Sequence, residues 1–330
     1  MMRHFELWME KYGERRIQIV EVLRKHHETL SELIKNIPEK EVIKPIPKVK
    51  IPDSPSMCFI DGGEGFRELS GAGFYMVRAT GLVMTENVGE KFLRDLDLGL
   101  ISYDDNTKDR VELLREAMEL EVAIKSIKEY KPDYVFLDGS LYVKASRKPI
   151  ECEEYSAYVR NFQRLITLVQ KEGVRLVGVS EDSKSRLLKQ YLNQKYSVTF
   201  PDFFTDPTIL NIISEKDKYS TVKLTPKKGG VGYTTAYLKV HKLANPLRID
   251  SLDGEQELDK TLSLIEKLSK GSKHYGYPIP LFLAHLDAKI NAKHTEWSSK
   301  RLSHYALREF PELAQAILGK TRRDYRPKGC

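Results

Sequence analysis

The order of hydrophobic segments along this chain predicts a mixed α/β sheet with helices on both faces. Three observations carry that expectation. Segments rich in β-formers, MCFIDGG at 57–63, GFYMVRATGLVM at 73–84 and FLRDLDLGLISY at 92–103, follow one another with glycine or charged turns between them. The period then changes over 109–130, where Leu113, Ala117, Leu120, Ile124 and Ile127 form one apolar stripe. Two further apolar strands, YVFLDGS at 134–140 and VRLVGVS at 174–180, are each followed by a helical stretch.

Each element has a local reason. From Phe5 the apolar residues recur at Trp8, Tyr12, Ile19, Leu23, Leu30 and Ile34, a helical spacing that predicts a long amphipathic helix within 1–36. Its face suits docking onto a partner subunit or packing back on its own domain. Pro38, Pro45, Pro47, Pro52 and Pro55 then crowd residues 37–56, which reads as an extended connector. The helix of 109–130 ends at Lys131-Pro132, a second helix over 153–171 closes at Gly173, and a third runs from Ser183 to Leu192. Beyond residue 200, strand-like segments at 219–225 and 233–240 and helices near 253–269 and across 279–296 elaborate the same domain, 57–318, ahead of a basic tail at 319–330. Parallel strands need crossovers that cover both faces, so the order β-β-β-α-β-α-β-α is that of the ribonuclease H-like superfold.

Composition excludes several classes. With 330 residues, 54 basic against 47 acidic groups and a net charge of +7, the chain is a basic, soluble globular protein. No apolar run approaches the ~18 residues of a membrane span. The charged N-terminus has no secretory pattern, so a cytoplasmic location is expected. Three cysteines without metal-binding spacing exclude a disulfide scaffold and a thiolate site.

Asp61 and Asp138 each end an apolar strand and each precede glycine. If the two strands are parallel neighbours, both carboxylates emerge at one sheet edge, where open α/β sheets bind ligands. Carboxylates gathered there suit Mg²⁺ or Mn²⁺ and phosphodiester cleavage. The alternative is that both are turn formers, since Asp-Gly is a common loop dipeptide. A third ligand is expected from the helix carrying Glu112, Glu116, Glu119 and Glu121; Glu119, at the border of the apolar stripe, is the first choice and Glu116 the second. By spacing alone His285 is a packed or partly exposed helical histidine. An actin-like phosphotransferase is a competing reading, although no Walker A pattern is present.

IDGG at 60–63, LDGSL at 137–141, VGVSEDSKS at 177–185 and GYPIPLFLAH at 276–285 resemble, in that order, the motifs of NurA nucleases. The resemblance covers roughly residues 55–300. It implies a ribonuclease H-like nuclease that forms a ring-shaped homodimer and works with the hexameric HerA ATPase on DNA ends. It further implies 5'-to-3' exonuclease activity on single- and double-stranded DNA, endonuclease activity on single strands, and Mn²⁺ or Mg²⁺ held by Asp61, Glu119, Asp138 and His285. A degenerate site would leave an adaptor that clamps DNA or the translocase. Basic clusters at Lys184, Arg186 and Lys189, at Lys227 and Lys228, and from Lys320 to Lys328 suit a phosphate backbone.

Overall fold

In the computed structural model the described residues are 2–51, 54–141, 151–225, 232–252, 254–271 and 276–319. The amphipathic N-terminal stretch forms one helix, α1 (Met2–Ile34). The proline-rich connector is not wholly extended. Pro38 lies at the N-cap of a one-turn helix, α2 (Glu39–Val42), where its missing N–H breaks no intrahelical bond, and a two-residue strand, β1 (Ile43–Lys44), follows.

The antiparallel triplet forms as expected: β2 (Met57–Glu68), β3 (Gly73–Thr85) and β4 (Gly89–Ile101). β2 runs five residues past the glycine pair because Gly62 and Gly63 stay in register with Ala79 and Arg78. Then come α3 (Thr107–Tyr130), β5 (Tyr134–Asp138), α4 (Glu153–Glu172), β6 (Arg175–Ser180) and α5 (Leu187–Tyr196). Lys131, in the left-handed conformation at φ 44°, ends α3 just before Pro132, and Gly173 at φ 69° ends α4. α5 begins later than its sequence suggests because the Ser183 and Ser185 hydroxyls accept from the backbone N–H groups of Ser185 and Leu187 and hold turns instead.

The remainder is α6 (Asp206–Ile213), β7 (Tyr219–Thr221), β8 (Thr234–Lys239), β9 (Leu247–Ser251), α7 (Gly254–Ser269), α8 (Ile279–Ala288), α9 (Ala292–Glu309) and α10 (Pro311–Leu318). The single helix expected across 279–296 is therefore two. Lys289 leaves α8 with ψ 126°, and the Asn291 side chain caps α9 by accepting from His294 N at 2.9 Å.

The described strands make one sheet in the order β1-β7-β8-β9-β6-β5-β2-β3-β4. Only β2–β5 and β5–β6 are parallel. Cys58, Ile60, Val135 and Leu137 face α3 and α4, packing on Leu120, Ile127, Phe162 and Leu165. Alternate residues Met57, Phe59, Tyr134 and Phe136 face α7 and α8, packing on Leu262, Ile265, Leu281 and Ala284, with the Phe59 and Phe136 rings stacked 4.9 Å apart. A third cluster joins Leu30 to Leu188, Phe204 and Tyr219 and fixes the C-terminal end of α1. Nearer its start, Phe5, Trp8, Tyr12, Ile19 and Leu23 are exposed. Thus α1 packs back on its own chain at one end and presents a bare apolar surface at the other. No described helix is long and apolar enough to cross a membrane.

The loop after β5 is tied to the sheet by a buried carboxylate. Asp250 of β9 accepts from Leu141 N at 3.1 Å, from Thr235 Oγ1 at 2.7 Å and from Arg248 Nε at 2.9 Å. Asp250→Ala leaves the buried Arg248 guanidinium without its partner and should cost about 3–5 kcal/mol. Thermal unfolding checks this: Asp250→Ala should melt well below wild type and Asp250→Asn, which keeps one acceptor, in between. Equal midpoints would show that the carboxylate contributes nothing.

Candidate metal centre

The parallel pairing of β2 with β5 aligns Ile60 with Leu137, so Asp61 and Asp138, one residue further on, emerge side by side. Both point to the face covered by α8, from which His285 descends. One ligand atom from each of Asp61, Asp138 and His285 lies within 4.8 Å of the others. Asp61 is buried and held at both oxygens. Its Oδ1 accepts from Gly62 N at 2.7 Å, and its Oδ2 lies 2.7 Å from His285 Nδ1, which donates to it in the Nδ1–H tautomer. His285 is itself about half exposed, with its ring stacked beside Phe282.

Glu119 approaches from the opposite face. It is buried on α3, and its Oε1 pairs with Arg115 one turn earlier rather than joining the group of three. Glycine makes this approach possible. A Cβ at Gly62 would collide with Glu119 Oε1, and one at Gly63 would collide with the Ala288 carbonyl at the end of α8. The second choice from the sequence, Glu116, lies 3.8 Å from Arg115, as does Glu112, and Glu64 lies 3.3 Å from it. Arg115 is thus a cation ringed by carboxylates, which hold its guanidinium strongly protonated against the cost of burial.

The electrostatics are those of negative charge short of compensation. Burial pushes Glu119 up to about 8 against the pull of Arg115, and the charges of Asp61, Glu116 and Asp138 add to the rise. Asp138 is pushed up to about 7, first by burial and then by Asp61. Opposing that rise is the nearby buried Tyr277 hydroxyl, whose own ionisation is driven far upward by burial and by Asp138. Carboxylates raised in this way favour a bound cation, and their oxygens with one imidazole are a donor set that suits Mn²⁺ or Mg²⁺.

A second shared device aims the histidine. Asp61, Thr80 and Arg94 occupy one row across β2, β3 and β4. Asp287, on α8, accepts from Thr80 Oγ1 at 2.8 Å and from Arg94 Nε and Nη2, each at 2.8 Å. This clamp pins α8 above the row that holds Asp61. Neither it nor Tyr277 and Arg115 was singled out from the sequence. The spacing of Arg115 four residues before Glu119 and the place of Tyr277 in GYPIPLFLAH were the available signals.

The expected basic clusters fare differently. Lys189 is buried, its Nζ donating to the Pro201 carbonyl at 2.6 Å, so it is structural. Lys184 is exposed and lines a cleft with Asp182, Thr205 and Asn211. Lys227, Lys228 and the tail from Lys320 lie outside the described residues.

A family model described as the NurA domain matches residues 55–290, more than two thirds of the chain. Two relatives named DNA double-strand break repair nuclease NurA are similar in sequence. The one from Saccharolobus solfataricus is 26% identical over 272 residues, covering 72% of this chain and 77% of the relative. The one from Sulfolobus acidocaldarius is 25% identical over 297 residues, covering 82% and 87%. Among solved structures, the NurA nuclease from Sulfolobus solfataricus shares the fold with a TM-score of 0.68 at 20% identity, covering 92% of this chain and 97% of the other. A structure of NurA with manganese gives a TM-score of 0.61 at 13% identity, covering 91% and 100%.

Because the clustered carboxylates repel one another, neutralising one should stabilise the metal-free chain while removing its response to metal. Asp138→Asn is expected to raise the thermal midpoint in EDTA, by about 1 kcal/mol of stability. The increase that Mn²⁺ gives wild type should vanish in that variant. A midpoint that responds equally to Mn²⁺ in both proteins would place cation binding elsewhere.

Proposed function

The chain belongs to the NurA family, and from that premise we propose that it is a Mn²⁺- or Mg²⁺-dependent deoxyribonuclease that processes DNA ends in double-strand break repair. The observation that carries the reading is the convergence of Asp61, Asp138 and His285 where the parallel pairing of β2 with β5 ends. Asp61 and Asp138 would hold the cation through oxygen and His285 through imidazole nitrogen. Glu119, poised across Gly62 and tethered by Arg115, would complete the carboxylate set. A divalent cation bound there supplies polarisation of the phosphodiester and a lowered pKa for the attacking water.

The chain's own groups set the conditions for that chemistry. His285 orients Asp61, so this ligand is positioned before substrate arrives, and the buried Tyr277 hydroxyl lies on the side of Asp138. The partly exposed His285 ring leaves the buried carboxylates open to an incoming phosphate from the α8 side. Nothing in this arrangement reads a base, which accords with a nuclease that acts on ends of any sequence.

Digestion in the 5'-to-3' direction, single-strand endonuclease activity and partnership with a HerA-type hexameric ATPase rest on the family resemblance. Homodimer formation has support from α1, whose exposed Phe5, Trp8, Tyr12, Ile19 and Leu23 offer an apolar surface that a second copy would cover.

End-labelled single- and double-stranded DNA should be degraded with Mn²⁺ or Mg²⁺ and left intact with EDTA. Asp61→Ala and Asp138→Ala should each lose at least about 100-fold in rate, the scale of losing a principal electrostatic contributor to a transition state. Cleavage that persists in EDTA or in both variants would overturn the metal-centre reading. If wild type stays inert even with a HerA-type ATPase and ATP, an adaptor role replaces it. Removing residues 1–23 should convert a dimer to a monomer in sedimentation while the thermal midpoint of the body is kept. A monomeric wild type would remove α1 from assembly.

A further inference from the structure

The helix that follows the metal centre has two unlike faces. On α9, Thr295 and Ser299 are buried and Leu302 and Ala306 join the cluster under α10, all on one side. At about 100° per residue, Lys293, Trp297, Lys300, Arg301, His304 and Arg308 fall together on the opposite side, and each is exposed. Of the two acidic residues of the helix, Glu296 lies on a flank of this face and Glu309 on the side opposite to it, at the helix end. Glu296 meets Lys300 at 2.7 Å, and the other basic groups of this face make no ion pair among the described residues. A merely solvated helix face has no need of a large aromatic at its centre, yet Trp297 is 59% exposed. The Arg301 guanidinium lies over its ring at 4.8 Å from the centroid.

We propose that this outer face of α9 is a track for single-stranded nucleic acid, with Trp297 as a stacking platform for an unpaired base and the basic residues as contacts for the flanking phosphates. The chemistry of the face selects this occupant. Positive charge with a single acid, Glu296, at its margin matches a phosphate backbone, and an accessible indole matches a base face, which a duplex keeps buried in its stack. An Arg–Trp pair adds a cation–π contact to the same platform.

The position of the track fits its use. α9 starts seven residues after His285, and its inner face sits on β2, where Thr295 Oγ1 approaches Gly65 so closely that no side chain fits there. Gly65 is four residues beyond Asp61 on the same strand. The helix then extends about 27 Å at 1.5 Å per residue, so a strand lying along it would lead to or from the metal centre. The inference rests on the nuclease reading for its biological use, but the binding it describes needs no catalysis.

The chain has two tryptophans, so Trp8→Phe in the full-length protein leaves Trp297 as the sole indole reporter. Titration with oligo(dT) in EDTA should quench its fluorescence saturably, whereas a duplex of equal length should not. Trp297→Ala should weaken oligo(dT) binding about 5- to 10-fold, the scale of one lost base–aromatic stack. Lys293→Ala with Arg308→Ala should lower the slope of log K against log salt by roughly 1.4, at about 0.7 for each single-strand phosphate contact. An unquenched Trp297 with bound oligo(dT), or equal affinity in Trp297→Ala, would overturn the track. Equal quenching by polyglutamate would assign the face to an acidic protein instead. Cleavage that continues without quenching would sink this inference alone. Quenching without any cleavage would sink the nuclease reading and leave the track standing.

Discussion

The parallel register between β2 and β5 is the constraint on which the site depends. Pairing Met57 with Tyr134 through Ile60 with Leu137 places Asp61 and Asp138 side by side where that pairing ends. It also sorts the intervening residues, with Cys58, Ile60, Val135 and Leu137 toward α3 and α4 and with Phe59 and Phe136 toward α7 and α8. A slip of one residue would exchange the two sets and turn Asp61 away from His285. Both hydrophobic cores therefore enforce the register that the polar residues need, and the energy of burial holds together charges that repel each other.

That repulsion explains why the site draws on both sides of the sheet. Asp61, Asp138 and His285 meet on the α8 side, while Glu119 and Arg115 come from α3 and reach the same part of β2 because Gly62 has no side chain. The sheet is thinnest at its glycines, and negative charge from one layer comes within range of negative charge from the other. Arg115 offsets part of it from one side and the Asp287 clamp fixes the histidine helix from the other. The result is a set of oxygens and one nitrogen whose arrangement is maintained by groups that do not themselves join it.

Much of this was legible in the sequence because the decisive signals are local. Apolar runs that stop at Asp-Gly marked Asp61 and Asp138, and the change of period over 109–130 marked α3. The burial of Glu119 at the border of its apolar stripe was legible, although its pairing with Arg115, outside the group of three, was not foreseen. What stayed hidden depends on tertiary contact. β1 is two residues long and exists because β7 pairs with it. β9 holds a charged pair, Arg248 and Asp250, that makes no sense as a strand interior until Thr235 and Leu141 N are brought beside it. Likewise the break between α8 and α9 carries no proline or glycine, only the Asn291 cap, and spacing gives no sign that His285 will meet Asp61 across 224 positions of chain.

The pairing of β1 with β7 has a consequence for synthesis. A ribosome delivers α1 before the body it packs on: Leu30, at its base, lies against Leu188, Phe204 and Tyr219, and β1 finds its partner only when Thr221 has emerged. At bacterial or eukaryotic elongation speeds of 5–20 residues per second, that interval is roughly 10 to 35 s. Throughout it a helix lined with Phe5, Trp8, Tyr12 and Leu23 is tethered to the ribosome without the body that will orient it. The nascent chain is thus exposed to holding chaperones along α1, and any contact between two such arms becomes geometrically defined only after each body has closed around its own strand.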